Sequence, residues 1–210
     1  MATIDPGMTP LAVIALALLE ERPMHPYEML QLLRERGRTR ILTIKAGSLY
    51  HTMNRLAALG LAKVHGTERE GNRPQRTVYG LTEAGRRAYV AWVRARLRQP
   101  ATPQEYDVAL AEAHNLDPAE VSQVLSDRHA MLAAQAEELR TGLASAHDRG
   151  VPTVYLLELE RRLALLDADI AWTRGTLARL ATNDIVWSYD DPRAGQRPPQ
   201  PHGEPKETSR

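Results

Sequence analysis

The sequence predicts a mainly α fold in two parts, a mixed N-terminal half with one β-hairpin set among helices and a C-terminal half of long antiparallel helices. Three observations carry the prediction. Apolar residues recur at helical spacing along most of the 210-residue chain, interrupted by one strand-textured stretch at 61–81. Two leucine-rich seams in the second half step by alternating threes and fours, the coiled-coil pattern. Charge divides the chain as well: residues 1–99 hold 16 Lys and Arg against 8 Asp and Glu, a net of +8, and the remainder nets −7. A basic half joined to an acidic half points to a polyanion meeting one half only.

Composition excludes several classes. The chain has no cysteine, so disulfides, thiolate metal sites and cysteine nucleophiles are ruled out. Its longest apolar run, Leu11 to Leu19, is nine residues, whereas a bilayer span needs about 20. No basic segment precedes that run and no small-residue cleavage site follows it, so it reads as a buried helix instead of a leader. A cytoplasmic, nucleoid-associated protein with no membrane partner is expected.

Thr9-Pro10 reads as a helix start, a hydroxyl to cap free N–H groups before a proline at the first helical position. The helix that follows is apolar almost all round and belongs at the centre of its domain. Arg22-Pro23 ends it. A second helix spans about Pro26 to Arg36, with Tyr27, Leu30 and Leu33 on one face and Gly37 as its stop. A third runs from about Lys45 to Leu59, with Leu49, Met53 and Leu56 as its buried stripe and Gly60 at its end. Leu61–Arg69 and Arg76–Leu81 read as strands, and residues 70–75 as the turn that makes them a hairpin. In the second strand Thr77, Tyr79 and Leu81 share one face, Arg76 and Val78 the other. Thr82 caps a fourth helix from Glu83 to about Leu97, with arginines at its end that suit the helix dipole. Residues 100–103 read as a hinge.

In the second half, Leu125, His129, Leu132, Ala136, Leu139 and Leu143 form one seam. Leu156, Leu159, Leu163, Leu166, Ile170, Thr173, Leu177 and Leu180 form the other, and Gly150 and Pro152 mark the turn between them. The two seams can bury each other within one chain. The second helix also carries an opposite face of Leu157, Ala164, Ala168, Ala171, Gly175 and Ala178, and a helix apolar on two sides needs a further partner. A homodimer is the economical expectation, with Leu156, Leu159, Leu163, Leu166, Ile170, Trp172 and Leu177 as its contact residues. Residues 188–210 hold five prolines and almost no apolar side chains, too little to offset the cost of ordering, so a disordered tail is expected.

Three helices, two strands and a fourth helix within about 90 residues follow the winged-helix order, a helix-turn-helix with a hairpin added. The expected division is a winged-helix DNA-binding domain at 9–99, a helical dimerisation domain at 103–187, and the tail. In a helix-turn-helix the third helix enters the major groove, and side chains near its N-terminus reach base edges. Here Lys45, Ser48, His51, Thr52 and Arg55 fall on its outward side, with Tyr50 a packed ring whose hydroxyl reaches a phosphate. In isolation such a helix is simply amphipathic with a solvated face; its place in the winged-helix order reverses that preference. Arg69, Arg73 and Arg76 on the hairpin suit phosphates or a narrow minor groove. Gly47 weakens the helix that carries it, which a close approach to DNA would explain.

At these residues a resemblance becomes specific. Gly47-Ser48-Leu49-Tyr50-His51 through Arg55-Leu56, then Leu59-Gly60-Leu61, resembles the third-helix signature of PadR-like regulators. Arg73-Pro74-Gln75-Arg76-Thr77-Val78-Tyr79, then Leu81-Thr82-Glu83-Ala84-Gly85-Arg86, is similar to that family's wing and the start of its fourth helix. Pro26-Tyr27-Glu28 resembles the second-helix start, although many members carry glycine where Pro26 stands. Leu116-Asp117-Pro118, the stretch from Leu125 and the helix at 156–172 resemble the long C-terminal domain of one branch. The resemblance implies a homodimer on an inverted-repeat operator, usually a repressor and often released by a small molecule of unspecified identity.

An enzyme is the rival class. The chain has no Gly-rich phosphate loop, no Gly-x-Ser-x-Gly elbow and no His-Glu-x-x-His helix. Asp167 and Asp169 lie two apart on a helix, poor geometry for paired carboxylates. No catalytic residue, metal site or cofactor is expected. For an effector, Trp92 and Trp172 are the candidate walls of an aromatic slot near the dimer interface. A winged helix serving only protein contacts is the other alternative, and its basic third helix counts against it.

Overall fold

The computed structural model describes residues 8–68 and 76–187. Its centre is α1 (Pro10–Glu21), capped where Thr9 Oγ1 accepts from the Ala12 N–H. Every side chain from Ala12 to Leu19 is buried, as expected of a helix apolar all round. α1 is packed by α3 (Ala46–Ala58), α4 (Glu83–Arg98), α5 (Pro103–Ala111) and the strand β2 (Arg76–Leu81). α2 (Pro26–Glu35) lies against α3, and Gly37 at φ +65° turns the chain between them through a short 3-10 turn at Arg38–Arg40. Only glycine takes that left-handed backbone without strain.

β1 (Ala62–Glu68) pairs antiparallel with β2, with a bulge between Val64 and Gly66. The strict alternation expected in β2 does not hold, since Val78, Tyr79 and Gly80 are all buried. The reason is a third partner. Met24, just past α1, exchanges backbone hydrogen bonds with Tyr79, so that β2 is covered along both edges at that point.

The hinge expected at 100–103 is not one. Thr102 and Glu105 form a capping box that starts α5 at Pro103, and Glu105 Oε2 also accepts the N–H of Ala101. Tyr106, Val108 and Ala109 of α5, and Val121, Val124 and Leu125 of α6 (Pro118–Asp148), belong to the same apolar cluster as α1 and α4. The core therefore runs unbroken from Met8 to Leu125.

α6 has 31 residues and is about 46 Å long. Gly150 at φ +73° turns the chain back into α7 (Leu157–Ala181). The two helices pack along the expected seams, with Leu143, Ala146 and Leu156 forming a second small cluster near the turn. Arg128 and Arg140 on α6 pair with Asp169 (3.0 Å) and Asp167 on α7. The expected tail, 188–210, lies outside the described residues. No helix among the described residues is long and apolar enough to cross a membrane.

Candidate nucleic-acid interface

The third helix divides as its sequence pattern requires. Leu49, Met53 and Leu56 are its buried residues, while Lys45, Ser48, His51 and Arg55 are exposed and Thr52 is half-buried. Lys45 is the N-cap residue and makes no side-chain cap, so the first N–H groups of α3 have no side-chain acceptor there. Nothing lies within 4 Å of where a Cβ on Gly47 would stand, so no contact within the chain requires glycine at that position.

Two neighbours frame this face. His25 Nδ1 accepts the Tyr27 N–H and caps α2, and the His25 ring meets Tyr50 edge-on at 5.5 Å between centroids. Tyr50 is 41 % exposed, its hydroxyl 3.4 Å from His25 Nε2, and the ring expected to pack does so edge-on against the His25 imidazole. The Arg76 guanidinium lies 5.7 Å from the Tyr27 ring centroid, tying the turn end of β2 to the start of α2. Tyr27, assigned from spacing to the buried face of α2, is 47 % exposed. The signal that places it outside is Pro26 before it, buried at the first turn in its stead. Arg69 and Arg73 lie outside the described residues. Tyr79 is core, and its hydroxyl donates to Oδ1 of the exposed Asn54 at 2.8 Å.

The arginines sort into two sets. On α4, Arg86, Arg87, Arg94, Arg96 and Arg98 pair with Glu20, Glu83, Glu120, Glu105 and Asp127. Arg38 pairs with Glu112. Lys45 and Arg55 on α3 and Lys63 on β1 are exposed and form no ion pair among the described residues. The charge asymmetry between the halves is in part the chain's own affair: Arg38, Arg94, Arg96 and Arg98 are matched by acids from the second half. The first-half cations without an ion pair among the described residues lie on α3 and the hairpin, and at Arg34 and Arg40 on α2 and the turn that leads into α3.

The residues expected at a dimer contact separate likewise. Leu156 is buried and Leu159, Leu163, Leu166, Ile170 and Leu177 are half-buried, facing α6 or the core, because the two seams close on each other within the chain. Trp172 is outside that seam and 46 % exposed, in company with Leu157 and Leu165. The face open to a partner is therefore the small-residue face, with Trp172 on it.

Trp92 and Trp172 do not form a slot together. Trp92 is 1 % exposed in the core, and the ring against Trp172 is Tyr106, 6.2 Å away and edge-on. Tyr106 in turn lies under the Arg128 guanidinium at 4.1 Å. Five buried side-chain polar atoms lack a hydrogen-bond partner among the described residues: Trp92 Nε1, Arg96 Nε, Tyr106 Oη, Arg128 Nε and Thr173 Oγ1. They come from α4, α5, α6 and α7, and contacts join Arg96 to Trp92 and Arg128 to Tyr106. Burial pushes the Tyr106 hydroxyl above the ordinary phenol range, so it stays a donor. Sequence spacing had no means of finding Tyr106, Arg128 and Thr173, which meet only in three dimensions.

Residues 15–91 match the transcriptional regulator PadR-like family. Among solved structures the chain is similar to Bacillus subtilis PadR in complex with operator DNA, at 18 % identity over 81 % of this chain and 98 % of that one, TM-score 0.39. It is also similar to the PadR-like transcriptional regulator BC1756 from Bacillus cereus, at 17 % identity over 82 % and 99 %, TM-score 0.36. A third is Bacillus subtilis PadR in complex with p-coumaric acid, at 18 % identity over 82 % and 99 %, TM-score 0.35. Among curated proteins, none matches.

Proposed function

We propose that this chain, whose residues 15–91 match the transcriptional regulator PadR-like family, is a transcriptional regulator, a homodimeric repressor that reads an inverted-repeat operator with α3 and grips its backbone with the hairpin. The observation that carries the reading is the sorting of cations. Arg22, Arg36, Arg38 and the arginines of α4 are paired with acids. Lys45 and Arg55 on the outer face of α3 form no ion pair among the described residues and are left for an external anion, with Arg34 and Arg40 on α2 and the turn before α3 likewise unpaired there. Ser48, His51 and Thr52 supply donors and acceptors between them, suited to base edges. The uncapped start of α3 adds N–H groups and the positive end of the helix dipole toward phosphate.

Dimerisation supplies the second half-site. α7 has one buried residue, Thr173, in its 25, and its outer face of Leu157, Leu165, Ala168 and Trp172 is what a second copy would cover. Two third helices would then lie about 34 Å apart, one turn of the duplex. The domain reading that goes with this is DNA contact by 9–99 and dimerisation by 103–187, in a protein acting in the cytoplasm on the nucleoid. Release by a small molecule is supported by the unpartnered donors of Trp92, Tyr106, Arg128 and Thr173, whose donor-rich character fits an acceptor-bearing ligand such as an aromatic carboxylate.

The test is an anisotropy titration against duplexes selected by the protein from a random pool, with competitor DNA and varied salt. Tight, competitor-resistant binding to a palindromic consensus is the expected outcome. If no sequence is enriched and binding is no better than to random duplex, a winged helix serving protein contacts becomes the better account. Quenching of tryptophan fluorescence by a panel of aromatic carboxylates, with loss of DNA binding, tests the effector reading.

A further inference from the structure

The turn that aims the third helix is fastened from outside the helix-turn-helix. Between α2 and α3 the chain runs from Arg36 to Lys45, with Gly37 in the left-handed region and the 3-10 turn at 38–40. Two side-chain links tie this turn to α5 and its end. Arg38 Nη2 donates to the Ala111 carbonyl at 3.0 Å and lies 3.5 Å from Glu112 Oε1. Gln104 Nε2 donates to the Ile41 carbonyl at 3.1 Å. These partners are 73 and 63 residues apart in the chain, so neither link follows from local folding.

Glu112 is an unusual residue to find there. It is 5 % exposed, and burying a carboxylate costs free energy that one cation at 3.5 Å only partly returns. Burial pushes its pKa up to about 7 despite the opposing pull of Arg38 and Asn115. Packing would be served as well by glutamine or methionine. The groups that face it are Arg38 from the turn, Glu21 of α1, Arg36 at the end of α2 (itself bonded to Glu21), Tyr89 of α4, and His114 and Asn115 just beyond it. Burial lowers the His114 pKa and so disfavours its charged form, and Arg36 is engaged by Glu21. Arg38 is the cation that responds when Glu112 ionises.

We infer that Arg38 is a positioning residue for the third helix, held by ionised Glu112, so that this joint couples DNA affinity both to proton uptake and to the placement of α5. The inference rests on the DNA-binding reading above. When Glu112 is charged, the Arg38 fork is fixed between two acceptors, Ala111 O and the carboxylate, and the α2–α3 turn is fixed with it. When Glu112 takes a proton, Arg38 keeps one neutral carbonyl and the turn loosens. Any displacement of α5 would break the Gln104 and Arg38 links together, the route by which events in the C-terminal helices would reach α3.

The experiment is the affinity of the full chain for its selected duplex from pH 6 to 8.5, with wild type, Glu112→Gln, Arg38→Met and Arg38→Lys. For a carboxyl titrating at about 7, going from pH 8 to pH 6 takes it from about nine-tenths charged to one-tenth, so wild type should lose up to about tenfold in affinity. The wild-type profile is read as its difference from that of Glu112→Gln, so that contributions common to both cancel. That variant should bind about as weakly at pH 8 as wild type at pH 6, with this component of the profile gone. Arg38→Met should do the same, and Arg38→Lys should restore part of both. Circular dichroism melts identify any variant that fails to fold. Amide hydrogen exchange at residues 38–50 of the free protein gives a second readout, with faster exchange expected in Glu112→Gln at pH 8. Wild-type affinity and an unaltered pH profile in Glu112→Gln, with unaltered exchange, would overturn the inference. If wild type binds no duplex at all, the DNA reading falls, and exchange alone decides whether the joint holds the turn.

Discussion

Two glycines near the N-termini of helices sit in opposite surroundings. A Cβ on Gly85, in the first turn of α4, would stand 2.0 Å from the Leu61 carbonyl oxygen, which also accepts from Thr82 Oγ1 at 3.0 Å. That contact is with backbone and cannot swing aside, so Gly85→Ala should destabilise the fold by about 3 kcal/mol, seen as a lower urea midpoint. A Cβ on Gly47 would meet nothing. Gly47→Ala should therefore raise the melting temperature, since alanine is favoured over glycine in a helix by about 1 kcal/mol, and yet weaken DNA binding if a phosphate approaches the bare Cα. Unchanged affinity with a raised melting temperature would remove the reason for that glycine. Glu112 gives a third case, with a sign that can be worked out. Its folded pKa, about 7, lies above the ordinary carboxyl value, so the folded state holds the proton more tightly than the unfolded chain does. Stability from this group is full below about pH 4 and is lost as pH rises through 7. Denaturant titrations of wild type against Glu112→Gln should show the difference shifting in favour of the glutamine variant, by on the order of 2 kcal/mol, between pH 5 and 8.

At the scale of elements, the sequence was most legible where one chain segment fixes its own environment. The stripe Leu49, Met53 and Leu56 reappears as the buried residues of α3, and the stops at Gly37, Gly60 and Gly150 all have positive φ. It was least legible where a distant segment supplies the other half of the environment. Val78, Tyr79 and Gly80 are buried in succession, and the second edge of β2 is covered at Tyr79 by Met24 from outside the hairpin. The polar cluster of Tyr106, Arg128 and Thr173 joins three helices. α5 is a different kind of miss. Its start carries a readable signal, Thr102-Pro103-Gln104-Glu105, the capping-box spacing, which the prolines at 100 and 103 disguised as a linker. Thr102→Ala should cost about 1 kcal/mol of stability. It should also weaken DNA binding beyond that loss, because α5 carries Gln104, and a melt alongside an affinity titration would separate the two effects. Equal stability in the variant would mean that burial of Tyr106, Val108 and Ala109 alone holds the helix in place.

For the whole molecule, the division of charge has two destinations. A net of +8 over residues 1–99 suggests a strongly basic body, yet Arg38, Arg94, Arg96 and Arg98 meet acids of the second half. Those pairs fasten α4 and the α2–α3 turn to the C-terminal helices. The field that DNA meets is thus smaller and more localised than the count implies, and ionic strength measures it. Each phosphate neutralised on duplex DNA releases counterions and adds about −0.9 to the slope of log affinity against log salt. If Lys45, Arg55, Lys63 and Arg76, with Arg69 and Arg73, were the cations engaged by each protomer of a dimer, a slope near −7 to −11 is expected. Engagement of every basic residue of the first half would give a value more than twice as steep. Single substitutions then locate the contacts. Arg55→Ala should make the slope shallower by about 2 for a dimer. Arg94→Ala should leave the slope unchanged, because that guanidinium is answered by Glu120, and should register instead as a small loss of stability. A shallower slope from Arg94→Ala would place DNA along α4 and require a different docking of the winged helix.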